Sequence, residues 1–185
     1  MPDRNTEEQK YRSFLEGDME SFEWLVIEYK DSLIYFISRY VKDVAAAEDL
    51  AQDAFVEVLV HKERYNFRTS FKTWLFTIGR NKAVDYIRKY NRVSLVEEYP
   101  EEASEEELLE DRVIRKEEKR ELYQALKSLK EEYQQALYLI DLEEMSYSQA
   151  AEIMGKSQAQ IKILIFRARK ALKKVLGREG LADEE

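Results

Sequence analysis

Between Tyr65 and Arg92 aromatic rings and cations interleave: Tyr65, Phe67, Arg68, Phe71, Lys72 and Trp74, then Arg80, Lys82, Arg88, Lys89 and Arg92. Rings stack on unpaired bases while Lys and Arg meet phosphates, which is chemistry suited to single-stranded DNA, and a loop of this kind can hold a flipped base. Phe71, Trp74 and Ile78 carry the spacing of a packed helix side and are read as core. Tyr65 and Phe67 precede that helix and have less claim on a core position. Asn81, Asp85, Arg88 and Lys89 fall on one helix face. Asp85 pairs locally with Arg88 or Lys89, and Asn81 is either a base reader or an ordinary hydrogen-bonded helix residue.

A second cationic stretch lies near the C-terminus. From Ile153 to Arg178 there are eight Lys and Arg and no acid. Two Ser-x-x-Gln patterns stand eleven residues apart, at Ser146 to Gln149 and at Ser157 to Gln160. Each is a capping box that starts a helix. Gly155 between them can take the positive φ of a tight turn, and Ala150 and Ala151 are small enough for close helix packing. That is helix-turn-helix spacing, whose second helix enters the major groove in DNA-binding examples. Gln158 and Gln160 occupy its first turn, where Gln can pair with adenine, while Lys162, Arg167, Arg169, Lys170, Lys173 and Lys174 suit phosphates. The alternative is a helical hairpin with a solvated basic face.

A third set is acidic. Glu48, Asp49, Gln52, Asp53 and Glu57 face away from an apolar stripe, which suits a basic protein surface or plain solvent. Other chemistries have little material. Cys is absent and His61 is the sole His, so thiolate or multi-His metal sites, disulfides and Cys nucleophiles are excluded. No metal or cofactor is expected. No apolar run approaches the roughly 20 residues that cross a bilayer, and Met1 to Lys10 is polar, so a cytoplasmic location without membrane insertion is expected.

The elements that must position these residues are helices. Five Gly and two Pro in 185 residues leave little for hairpins or Gly-rich phosphate loops, while 44% hydrophobic residues provide a core. One stripe runs Phe22, Leu25, Val26, Tyr29, Leu33, Ile37, Tyr40 and Val41, with Asp18 as N-cap. A second runs Val44, Ala47, Leu50, Ala51, Ala54, Phe55, Val58 and Leu59, with Asp43 as cap. A third starts at Phe71, after a loop from Lys62 to Thr69. In the C-terminal half Leu122, Leu126, Leu129, Tyr133, Ala136, Leu137 and Ile140 precede the two capped helices, the second of which carries Ile161, Leu164, Ile165, Ala168, Leu172 and Val175. The expected fold is all-α, with two small helical domains at 1–92 and 112–185 joined by an acidic linker at 93–111. The formal charge of −8 divides unevenly, with +7 from Lys62 to Arg92, +8 from Ile153 to Arg178 and −9 from Glu97 to Asp111. Two separate phosphate-binding surfaces follow from that division rather than from the total.

Three stretches, AEDLAQDAF at 47–55, FKTWLFTIGRNKAVDYIRK at 71–89 and SYSQAAEIMGKSQAQIKILIFRARKAL at 146–172, resemble in order and spacing the signature stretches of bacterial RNA polymerase sigma factors of the extracytoplasmic-function (ECF) group. The resemblance implies a non-enzymatic protein that binds core RNA polymerase, recognises −10 and −35 promoter elements and promotes melting. It implies a sigma region 2 domain at 1–92 and a region 4 domain at 112–185. Asp49, Gln52 and Asp53 match polymerase-docking positions. Tyr65, Phe67, Arg68, Lys72, Arg80, Asn81, Arg88 and Lys89 match the segment that reads the −10 element and holds its unpaired non-template strand. Ser157, Gln158, Gln160, Lys162, Arg167 and Arg169 match the reader of the −35 duplex. Many members of the group are held by an anti-sigma protein.

The chain departs from the group at three places. Ala159-Gln160 replaces a small Gly-Thr or Gly-Ala pair. Ile163-Leu164 replaces Ser-Arg, so that Ile163 is available to a thymine methyl or to a partner protein. Gly79 replaces a common Ala, which is expected to loosen the middle of its helix. Two rivals remain at this level: a conventional dimeric helix-turn-helix regulator, and a helical adaptor that binds only proteins.

Overall fold

The computed structural model describes residues 4–93 and 120–179, in two compact units. Among the described residues the regular elements are helices and no strand occurs. The expected linker and the expected domain boundary at 112 lie outside the described residues.

The first unit holds α1 (Arg4–Leu15), α2 (Met19–Ser38), α3 (Val44–Val60) and α4 (Phe71–Val93), with one 3-10 turn at Lys62–Arg64. The caps are those expected from sequence. The Asp18 carboxylate accepts from the Glu20 and Ser21 N–H groups at 3.0 and 3.4 Å and from the Ser21 hydroxyl at 2.6 Å, and the hydroxyl bond above all holds its pKa down. Asp43 accepts from Ala46 N–H at 3.2 Å, and Ser70 Oγ from Thr73 N–H at 3.2 Å. α2 packs on α1, α3 and α4, and α1 and α3 each also pack on α4. Leu25, Leu33, Ile34, Phe36, Ile37, Leu75 and Phe76 are fully buried between them. The α3 stripe is right except at its end, where Leu59 is 39% exposed.

α1 is an element that periodicity alone left undistinguished, and it closes one end of this core with Tyr11 and Phe14, both buried. Gly79 corrects an expectation. α4 runs through it unbroken, and a Cβ there would stand 2.8 Å from Leu33 Cδ1 and 3.2 Å from Ile37 Cδ1. The missing side chain lets α4 approach α2 closely, so packing rather than flexibility accounts for Gly at that position.

The second unit holds α5 (Arg120–Lys127), α6 (Glu131–Leu137), a π turn (Tyr138–Leu142), α7 (Tyr147–Met154) and α8 (Gln158–Glu179). α8 packs on α5, α6 and α7 through Ile161, Ile165 and Ala168. α7 carries the Ser146 box in both directions: Gln149 N–H donates to Ser146 Oγ at 3.2 Å and Ser146 N–H donates to Gln149 Oε1 at 2.9 Å. Gly155 closes α7 at φ 64°, ψ 37°, the left-handed conformation for which the lack of a Cβ matters. The π turn is unforeseen. It follows α6 directly where regular helical spacing was expected to continue, and Glu143 N–H bonds back to Tyr138 O at 2.8 Å.

Candidate nucleic-acid interface

The loop before α4 is held in shape by α1. Tyr11 Oη donates to Lys62 O at 2.8 Å, Lys62 Nζ to Leu15 O at 3.2 Å, and Arg4 Nη2 to Phe67 O at 3.3 Å. The Arg12 guanidinium lies 4.2 Å from the centre of the Phe67 ring, within cation–π range. Inside the loop Tyr65 Oη donates to Thr69 O at 2.7 Å, and Asn66 Oδ1 accepts from Arg68 N–H at 3.0 Å. Phe67 sits at φ 61°, a left-handed conformation costly for a residue with a Cβ, roughly 1–2 kcal/mol. Such strain persists only where the surroundings determine the loop.

Two residues expected at a DNA surface are elsewhere. The Tyr65 ring is 3% exposed and stacks 5.2 Å from Trp74, with Tyr11 and Phe67 at 4.7 and 4.6 Å. Burial pushes the phenols of Tyr65 and Tyr11 well above their usual range. The Tyr65 ring is core, because α1 contributes Tyr11 to cover it. Lys72 is 7% exposed, its ammonium 5.9 Å from the Phe76 ring centre. Its field reaches the buried Glu7, whose carboxylate accepts from Tyr29 Oη. Burial nevertheless raises the Glu7 pKa, with Tyr29 and Lys72 opposing the shift.

The other members of that set are accessible. Arg68, Asn81, Arg88 and Lys89 are exposed and Phe67 and Arg80 half-buried. Arg80 Nη1 donates to Asn81 Oδ1 at 3.1 Å, while its buried Nε has no partner. Arg88 pairs with Asp85 at 3.5 Å, both exposed, as the spacing led one to expect. Around the unit, Asp49, Gln52 and Asp53 project from α3 into solvent, and Val56 and Val60 beside them are 50% and 65% exposed. Glu57 is tied to Lys82 of α4 at 2.9 Å. The α3 face is therefore acidic and apolar together, a composition the sequence showed only in its acidic part. His61 ends α3 and is half-buried.

In the second unit Ser157 and Gln160 form the expected box: Gln160 N–H donates to Ser157 Oγ at 3.2 Å and Ser157 N–H to Gln160 Oε1 at 2.8 Å. The Gln160 amide oxygen is thereby used locally. Gln158, Lys162, Arg167 and Lys170 are exposed on α8. Arg169 is placed differently. Its Nε and Nη2 donate to Asp141 Oδ2 and Oδ1 at 3.1 and 2.5 Å, and that bond raises the guanidinium pKa further. Asp141 lies on the π turn, so Arg169 fastens α8 to the preceding element.

Among the described residues no group of three or more His, Asp or Glu could hold a metal ion, and no helix is long and apolar enough to cross a membrane.

Comparisons with known proteins agree with this architecture. Residues 25–93 match the Sigma-70 region 2 family and residues 119–172 the Sigma-70, region 4 family. The ECF RNA polymerase sigma factor SigM of Bacillus subtilis (strain 168) is 31% identical over 156 residues, covering 84% of this chain and 94% of the relative. SigW of the same organism, also an ECF RNA polymerase sigma factor, is 28% identical over 178 residues, with 91% and 95% covered. The fold is that of the sigma factor RpoE of Bartonella quintana, solved in complex with the anti-sigma factor NepR, at a TM-score of 0.65 and 24% identity over 85% of this chain and 98% of that one. With both regions matched in order, each by the unit the structure separates, this chain belongs to the ECF RNA polymerase sigma factors.

Proposed function

We propose that the chain binds core RNA polymerase in the cytoplasm, recognises −10 and −35 promoter elements and promotes opening of the DNA between them and the start site. It performs no covalent step of its own. The observation that carries this reading is α8: a capped second helix of a helix-turn-helix with Gln158 exposed in its first turn and Lys162, Arg167 and Lys170 exposed along it. Gln158 serves base edges and the cations serve phosphates of the −35 duplex. Ser157 and Gln160 shape the end of α8 that is presented, and Arg169 orients the helix through Asp141.

In the first unit we assign the unpaired −10 strand to the loop and α4, with Phe67 as the ring and Arg68, Arg80, Asn81, Arg88 and Lys89 as polar contacts. Tyr65 and Lys72 support that surface from beneath. Asp49, Gln52 and Asp53, with exposed Val56 and Val60, form the polymerase-docking face, acidic for a basic partner and apolar for affinity. Two modest sites on one chain gain through effective concentration once the polymerase holds both. An anti-sigma factor is a further partner on this reading, as NepR is for the Bartonella protein. Association with purified core polymerase tests the assignment: the chain is expected to co-elute with core enzyme, and Asp49→Lys with Asp53→Lys to abolish co-elution. A chain that never associates with core enzyme is not acting as a sigma factor.

A further inference from the structure

The outer side of α8, opposite the buried Ile161, Ile165 and Ala168, begins with an apolar stripe. Ala159, Ile163 and Phe166 follow one another at i, i+4 and i+7, and Ile163 and Phe166 are 54% and 71% exposed. Exposed apolar side chains this large, adjacent on the presented face, call for an occupant. Their surroundings specify it. Gln158, Lys162, Arg167 and Lys170 flank the stripe, all exposed, and α8 carries no acid before Glu179. A partner must therefore be strongly anionic at its edges and apolar where Ile163 lands. In the major groove, phosphates supply the first property, and among base edges the thymine C5-methyl supplies the second. Meanwhile Gln160, the second polar residue of the first turn, has its amide oxygen bonded to Ser157 N–H, which leaves more of the reading to the apolar stripe.

We propose that Ile163, with Phe166 beside it, is a specificity-determining residue that reads thymine methyl groups in the −35 duplex. The inference rests on the assignment of α8 to that duplex. Its test uses holoenzyme assembled from the full chain and core RNA polymerase, and promoter duplexes randomised across the −35 element. The enriched sequence is remade with each thymine in turn replaced by deoxyuridine, which removes the methyl alone. Affinity is expected to fall about fourfold at one or two thymines, the scale of one lost methyl contact. Ile163→Ala is expected to erase that sensitivity to deoxyuridine, whereas Lys162→Ala weakens binding and keeps it. Equal affinity at every replaced thymine overturns the proposal, as does full sensitivity retained by the Ile163→Ala and Phe166→Ala double variant. If no −35 sequence is enriched at all, the assignment of α8 fails first and the inference falls with it, a result distinct from an enriched site indifferent to methyl groups.

Discussion

Arg169 and Asp141 are joined by two hydrogen bonds, at 3.1 and 2.5 Å, across 28 positions of sequence. The pair locks the middle of α8 to the π turn and withdraws one of the helix's cations from solvent duty. Arg169→Ala is therefore expected to act on stability. Both side chains are partly exposed, 50% and 33%, so the loss is about 1 kcal/mol, the upper range for pairs in contact with water. Arg167→Ala should leave stability unchanged and reduce the slope of log affinity against log salt by about one. Thermal unfolding and salt-dependent DNA binding of the holoenzyme separate the two outcomes.

Gly79→Ala sets helix propensity against space. Ala gains about 1 kcal/mol in a helix interior. Its methyl would enter a gap already filled by Leu33, with Cδ1 2.8 Å away, and Ile37. Overpacking costs roughly 1–3 kcal/mol, so the substitution is expected to destabilise on balance. Urea unfolding should show a lower midpoint, partly recovered when Leu33→Val is added.

Glu7 gives the first unit a pH dependence of definite sign. Burial raises its folded pKa above the ordinary 4.5, so the folded state holds its proton more tightly than the unfolded chain. The stabilising contribution is complete below the unfolded pKa and is lost as pH rises through the folded value. Between those values the wild type should lose stability with rising pH more steeply than Glu7→Gln, whatever the absolute stability of the variant. Equal slopes in denaturant titrations at successive pH values would contradict this.

Tyr65 and Phe67 are neighbours in sequence with different consequences. Tyr65→Ala empties a site between Tyr11 and Trp74 and should cost about 3–5 kcal/mol, the range for buried aromatics. Phe67→Ala, at a half-buried loop position, should change stability less and slow opening of the −10 region. A fluorescent base analogue in the non-template strand reports the opening, and calorimetry the stability.

Much of the fold was readable because caps and periodicity are local. Asp18, Asp43, Ser146 and Ser157 each announced a helix start within three residues, and Gly155 its turn. What stayed hidden was what lies opposite. Spacing places Arg169 on a helix face and cannot show that Asp141 meets it there. Tyr65 reads as a loop aromatic until α1 brings Tyr11 over it, and Lys72 as a surface cation until Glu7 is buried beneath. The exposure of Phe166 could have been found, since it falls on the side away from Ile161, Ile165 and Ala168. The π turn carried no local signal of its own.

Transcription from defined promoters by core RNA polymerase, with and without this chain, tests the central claim most directly. Sequencing of the transcript starts is expected to reveal sites that need the chain and share one −35 and one −10 element, with initiation lost in Arg167→Glu. Starts that are the same in its absence, or that share no upstream element, would contradict it.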